Sequence, residues 1–302
     1  MRVVSVLPSA TEIVCALGHR SELVGRSAEC DYPEEVASLP VVMRPRTWDA
    51  DRPSREIDTR VRASREQGES LYVLDSELLR DLRPDLLLTQ DLCGVCSVTE
   101  AEVSEACARA GIAPRVVSLM PRRLDEVWRT VELVAEALDD RAAGERLLRP
   151  LRSVPASYGP AARRPSVAIV EWLDPPILAG LWTPDIVTLA GGSPVGPAAG
   201  EPGTRTTWDE LASRAIDLLV LSPCSFSVQR TFREFENLEL RREVERLKPG
   251  LGTFLADEAY FSRPGPRLAE GIRLVHDLLT GGLRSPPMPV TVLGPGRRGA
   301  VA

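Results

Sequence analysis

Arg2-Val3-Val4-Ser5-Val6-Leu7-Pro8-Ser9-Ala10-Thr11-Glu12-Ile13-Val14-Cys15-Ala16-Leu17-Gly18 is the stretch that decides the fold class. The β-branched apolar run Arg2 to Leu7 reads as a buried strand. Pro8-Ser9-Ala10-Thr11-Glu12 supplies a turn, a cap and an acidic first turn. Ile13 to Leu17 continues as a helix, and Gly18 ends it. A strand, a loop and a helix this close together open an α/β unit.

The alternation continues outward from there. Leu23-Val24-Gly25-Arg26, Pro40 to Met43, Leu71 to Leu74, Leu86 to Thr89 and a segment within Ile112 to Leu119 read as strands. Glu56 to Gln67, Asp75 to Leu82 and Thr99 to Ala110 read as helices. Leu124, Val127, Val131, Val134 and Leu138 keep helical spacing. They predict one long helix over 124–151, resumed after a break near Asp139-Asp140. A second alternation follows, with strands at Ser166 to Trp172, Ile216 to Leu221 and Gly252 to Ala256. Its helices are Thr183 to Leu189, Thr207 to Ala215, Phe232 to Arg246 and Pro266 to Leu279. The expected architecture is α/β with two Rossmann-like lobes, each built on a mainly parallel sheet. The boundaries are 1–121, a connecting rigid helix at 122–152, 153–284, and a flexible tail at 285–302.

Composition narrows the function classes. The chain has 302 residues, 43% of them hydrophobic and 26% charged, with a net charge of −6. That is enough for two substantial cores, and the acidic balance argues against a nucleic-acid partner. No stretch approaches the roughly 18 apolar residues of a membrane span. Met1 leads straight into the first strand, so the chain as given reads as cytoplasmic, or as extracytoplasmic with a leader removed. Six cysteines in that setting read as thiols or metal ligands before disulfides. With only His19 and His276 as histidines, a Ser-His-Asp arrangement or a His-rich zinc site has little to draw on.

Three cysteines fall where open α/β sheets bind ligands, in loops leaving the carboxyl ends of strands. Cys30 lies in Glu29-Cys30-Asp31-Tyr32-Pro33. Cys93 and Cys96 lie in Gln90-Asp91-Leu92-Cys93-Gly94-Val95-Cys96. The two-residue gap lets both sulfurs face one metal or form a redox pair. Three thiolates can hold zinc with a fourth ligand, or three irons of a four-iron cluster with one iron open to substrate. The competing reading is buried small apolar side chains. Cys15 and Cys107 fall on helix faces and read as core; Cys224 follows a second-lobe strand. Trp172, Trp182 and Trp208 lie near element ends, where they can clamp a flat macrocycle or pack a core. Glu171 and Asp174 flank Trp172. Arg263 and Arg267 bracket a Pro-Gly-Pro turn before the last helix, which suits a carboxylate or a salt bridge.

Five motifs, in order, carry a resemblance over residues 2–280. They are Leu7-Pro8-Ser9-Ala10-Thr11-Glu12, Asp31-Tyr32-Pro33, Leu82-Arg83-Pro84-Asp85-Leu86, Asp174-Pro175-Pro176 and Phe261-Ser262-Arg263-Pro264-Gly265-Pro266-Arg267. The chain resembles the substrate-binding proteins of ABC importers for cobalamin, iron-siderophores and haem, most closely the cobalamin-binding branch. That resemblance implies the class III binding-protein fold, with two lobes joined by one long helix and a ligand in the cleft. It implies a corrinoid or other metal-chelate ligand and an ABC permease as partner, with no membrane insertion. Tyr32 would lie against a corrin face, with Tyr260 and Phe261 as an aromatic wall before the last helix. Gln90 and Asp91 stand where the family has a tryptophan, and Ile177 where it has an aromatic. Trp172 and Trp182 are near in sequence, and Arg263 would hold a polar edge. Glu77 and either Asp209 or Glu210 match the acids that dock on the permease. The alternative is a cytoplasmic metalloenzyme using an iron-sulfur or zinc site on Cys30, Cys93 and Cys96.

Overall fold

The computed structural model describes residues 1–46, 52–90, 98–154, 158, 164–282, 286–294 and 297–301. The chain divides into two compact units. One gathers Met1–Trp48, Thr59–Pro121 and Asp125–Leu151; the other gathers Asp49–Asp58, Arg122–Leu124 and Arg152–Ala302.

The first sheet holds β1 (Val3–Ser5), β2 (Leu23–Ser27), β3 (Val41–Pro45), β4 (Tyr72–Leu74), β5 (Leu86–Thr89) and β6 (Arg115–Ser118) in the order β4-β3-β2-β1-β5-β6. All neighbours run parallel except β4, an antiparallel edge on β3. Central β1 and β5 are buried along their whole length, which is why they read as continuous apolar runs without alternation. The helices before residue 154 are α1 (Pro8–Ala16), α2 (Ser54–Glu66), α3 (Ser76–Leu82), α4 (Glu100–Ala110), α5 (Leu124–Ala137) and α6 (Arg141–Ser153). Their ends follow local chemistry. Pro8 opens α1, and Asp75 caps α3 by accepting the Leu78 N–H. Thr99 and Glu102 form a reciprocal capping box on α4, which Gly111 closes at φ 68°.

The predicted long helix is two helices. Asp139 takes φ 58° and stops α5; Asp140 Oδ1 then accepts the Ala143 N–H and starts α6. The break lies at the Asp139-Asp140 pair, because a left-handed residue interrupts the helical hydrogen-bond ladder.

The second sheet is parallel at its centre, where β7 (Ser166–Leu173), β11 (Leu218–Leu221) and β12 (Gly252–Ala256) lie side by side. Short strands β8 (Pro176–Leu178), β9 (Ser193–Pro194) and β10 (Thr204–Arg205) extend or flank one side. The flexible tail expected over 285–302 is corrected. Its β13 (Val290–Gly294) pairs antiparallel with β12, and β14 (Arg297–Val301) pairs with β13. The prolines at 286, 287 and 289 stop just short of the β-branched run Val290-Thr291-Val292, so they leave its ladder donors intact.

Helices α7 (Thr183–Leu189), α8 (Trp208–Ala212), α9 (Val228–Phe235), α10 (Leu238–Leu247) and α11 (Leu268–Thr280) complete this unit. The helix expected over Phe232 to Arg246 is split, with Asn237 capping α10 through the Glu239 N–H. Val170, Leu211, Leu219, Leu221, Phe235 and Leu255 lie in one buried cluster between sheet and helices. Among the described residues, no helix is long and apolar enough to cross a membrane.

Candidate functional site

In the first unit, the loop leaving β2 carries the sequence-predicted pair Cys30 and Tyr32. They point to different fates. Tyr32 is 50% exposed, in a protein whose large apolar side chains are mostly buried. Cys30 is 1% exposed, and its Sγ lies 3.1 Å from Thr11 Oγ1. That hydroxyl is also 2.9 Å from Ser5 Oγ, so a small polar chain from β1 and α1 reaches the thiol. Cys30 therefore sits in the interior of the loop leaving β2. Gln90 follows β5 directly and is half-buried. Asp91, Cys93 and Cys96 lie outside the described residues. Among the described residues, no group of three or more His, Cys, Asp or Glu side chains is arranged to hold a metal. Burial pushes the Cys15 thiol up to about 11 and also raises Cys107; raised thiols are poor nucleophiles and poor ligands at neutral pH.

In the second unit, three of the predicted contact aromatics are core residues. Tyr260 is fully buried; its hydroxyl donates to the Met288 carbonyl (2.8 Å) and accepts the Met288 N–H (3.1 Å). Burial pushes it up to about 12. Phe261 is 2% exposed, and its carbonyl accepts the Trp182 indole N–H at 2.6 Å. These hydrogen bonds tie the turn before α11 to α7 and to the chain leading into β13. Tyr260 and Phe261, expected as an aromatic wall, thus spend much of their apolar area inside the fold.

Trp172 differs. It lies near the carboxyl end of β7, is half-buried, and its enclosed Nε1 has no hydrogen-bond partner among the described residues. Its ring packs at 5.3 Å on Phe226, and the Arg230 guanidinium covers the Phe226 ring at 4.3 Å. Arg263 is committed to Glu258, with Nε and Nη2 donating to one carboxylate oxygen at 2.8 and 2.6 Å. The other oxygen accepts the Ser225 N–H at 2.5 Å. Burial raises the Glu258 carboxyl, and the Arg263 charge opposes that shift. Of the flanking acids, Asp174 accepts from Arg55 at 2.8 Å.

Glu77 stands exposed in the first turn of α3. Asp209 and Glu210 separate by their bonding. Glu210 closes a capping box with Thr207 and accepts from the Thr206 hydroxyl at 2.6 Å. Those contacts, the Thr206 hydrogen bond first, lower its carboxyl. Asp209 is 84% exposed and meets Arg246 at 2.7 Å. Of the two histidines, His19 is clamped by Glu22 (2.8 Å) and Asp140 (3.2 Å), and His276 stacks on Tyr158 with its Nδ1 3.2 Å from the Ala190 carbonyl.

Sequence reasoning missed Met120, which is 56% exposed immediately after buried Leu119 at the end of β6. The signal was available: an apolar residue two positions beyond a strand at its carboxyl end. A cavity of about 920 Å³ runs along α9 and residues 286–291 and is lined by Val228, Phe232, Arg233 and Met288 among others. None of the predicted contact residues lines it.

No family model matches the sequence, and no curated protein matches it either. Solved structures do. A periplasmic heme binding protein from Pseudomonas aeruginosa aligns at TM-score 0.68 and 19% identity over 97% of this chain and 98% of that one. The periplasmic vitamin B12 binding protein BtuF of Vibrio cholerae aligns at 0.63 and 17% over 93% and 97%. A protein of an ABC-type Fe3+-hydroxamate transport system from Saccharomonospora viridis aligns at 0.65 and 15% over 92% of each chain. The chain has the class III binding-protein fold shared by these three.

Proposed function

We propose that this protein binds one small metal chelate, of the corrinoid, haem or ferric hydroxamate class, and passes it to an ABC-type permease. The observation that carries the reading is the fold shared along almost the whole chain with three proteins named for chelates of those kinds. Cobalamin is one candidate among them. Tyr32, exposed beyond β2, supports a stacking contact. Gln90, half-buried after β5, and Asp91 beside it would contribute polar contacts. For delivery, Glu77 and Asp209 are better placed than Glu210, whose carboxylate is occupied by its own helix cap. The periplasmic setting of the neighbours supports an extracytoplasmic location over a cytoplasmic one.

Calorimetric titration with aquocobalamin, haemin and ferrioxamine tests the reading. Saturation at one equivalent by any of the three supports it and names the class. Heats indistinguishable from dilution for all three overturn it.

A further inference from the structure

We propose that Arg26 is a positioning residue whose guanidinium holds the 27–38 loop in the shape that presents Tyr32; the ligand side of this inference rests on the chelate-binding reading above. Arg26 lies on β2 and is half-buried. Among the described residues it has no carboxylate partner. Its terminal nitrogens instead donate to backbone carbonyls of a single loop. Nη1 reaches Ser27 O at 3.0 Å, Cys30 O at 3.1 Å and Ala28 O at 3.4 Å. Nη2 reaches Ala37 O at 2.8 Å.

The arrangement of these acceptors matters more than their number. Ser27, Ala28 and Cys30 belong to the arm that leaves β2. Ala37 belongs to the short turn Glu34–Ser38 on the returning arm. Tyr32 stands between the arms. One planar, two-pronged cation thus ties both feet of the loop together, a geometry for which guanidinium is suited and ammonium is not. A second anchor works from below, where the Cys30 thiol is buried beside Thr11. With the arms tied and Cys30 sunk into the interior, the aromatic side chain that stays outside is Tyr32, at 50% exposure. Ordering a loop before the ligand arrives lowers the entropy cost of binding.

The test uses the full chain carrying 3-fluorotyrosine, with its four tyrosines resolved by fluorine NMR and Tyr32 assigned by Tyr32→Phe. In Arg26→Lys, the Tyr32 resonance is expected to sharpen and move toward its free-chain position, while Tyr72, Tyr158 and Tyr260 stay put. Affinity for whichever of aquocobalamin, haemin or ferrioxamine titrates should fall about tenfold. The double variant Arg26→Lys/Tyr32→Ala should bind no more weakly than Tyr32→Ala, because both changes remove one contact. An unmoved Tyr32 resonance, or fully additive losses, overturns the proposal. If no chelate titrates, the binding reading falls and the fluorine signal still decides the role of Arg26. If Arg26→Lys does not fold, the unmodified protein decides: a Tyr32 line as narrow as in the urea-unfolded chain overturns the proposal.

Discussion

Replacing Arg263 with Met should destabilise the second unit in a strongly pH-dependent way. The side chains of Arg263 and Glu258 are only 12% and 10% exposed, and both donor nitrogens meet one carboxylate oxygen at 2.8 Å or less. At an effective dielectric near 20 the gross attraction is roughly 6 kcal/mol. Desolvation cancels much of this in the intact pair, but removing only the cation leaves a buried carboxylate whose one remaining described donor is the Ser225 N–H. Breaking a buried pair in this manner costs about 3–5 kcal/mol, equivalent to a Tm drop of roughly 6–20 °C for a unit of this size.

The pH dependence has a defined sign. Burial already raises the Glu258 carboxyl, and the Arg263 charge lowers it, so Arg263→Met raises it further. A carboxyl raised on folding favours the native state below its unfolded value of about 4.3 and loses that contribution as pH rises through the folded value. The deficit of Arg263→Met against the parent should therefore be small near pH 5 and full near pH 8. Glu258→Gln in the same background should recover most of it, since an amide costs far less to bury and still accepts the Ser225 N–H. Urea unfolding at both pH values, followed by tryptophan fluorescence, reads all three proteins. A deficit under about 1 kcal/mol at pH 8, or equal deficits at both pH values, would refute the reasoning.

Other outcomes follow from single contacts. Thr207→Ala removes the side chain that accepts the Glu210 N–H at 3.1 Å and should cost about 1 kcal/mol by urea unfolding. His19 is raised by its hydrogen bond to Glu22 and, after the opposing effect of burial, by Asp140. Its contribution should be full below about pH 6.5 and fade as pH rises through the folded value, so His19→Ala should flatten the stability profile in that window. Charge reversal at Glu77 and Asp209 should leave chelate affinity in solution unchanged and reduce chelate-stimulated ATPase of a reconstituted permease; an unchanged stimulation argues against docking through those acids.

Much of the fold was legible because α/β proteins write their strands as short apolar runs and their helices with caps. Val3–Ser5, Leu86–Thr89 and Leu218–Leu221 are buried on both faces and could be read directly. The helices read from Thr99 and Thr207 begin at those residues, each capped by the glutamate three residues on. The strands that escaped are those without a periodic signal. Ser193–Pro194 and Thr204–Arg205 have two residues each, and β13 was masked by the prolines before it. The site was less legible than the fold. Sequence identifies an aromatic near a strand end but not the side of the chain it faces, so Tyr32 and Tyr260 looked alike. Burial separates them, because Tyr260 has the Met288 backbone to satisfy its hydroxyl inside, whereas Tyr32 lies half-exposed on its loop. Arg26 was invisible because its partners are carbonyls, which no residue type reveals.

Equilibrium dialysis of the unmodified protein and Tyr32→Ala against haemin, aquocobalamin and ferrioxamine, each followed by its own absorption band, addresses the central claim most directly. The account predicts that one chelate saturates the unmodified protein at one equivalent and that Tyr32→Ala retains it more weakly. Equal concentrations of every chelate on both sides of the membrane would contradict it.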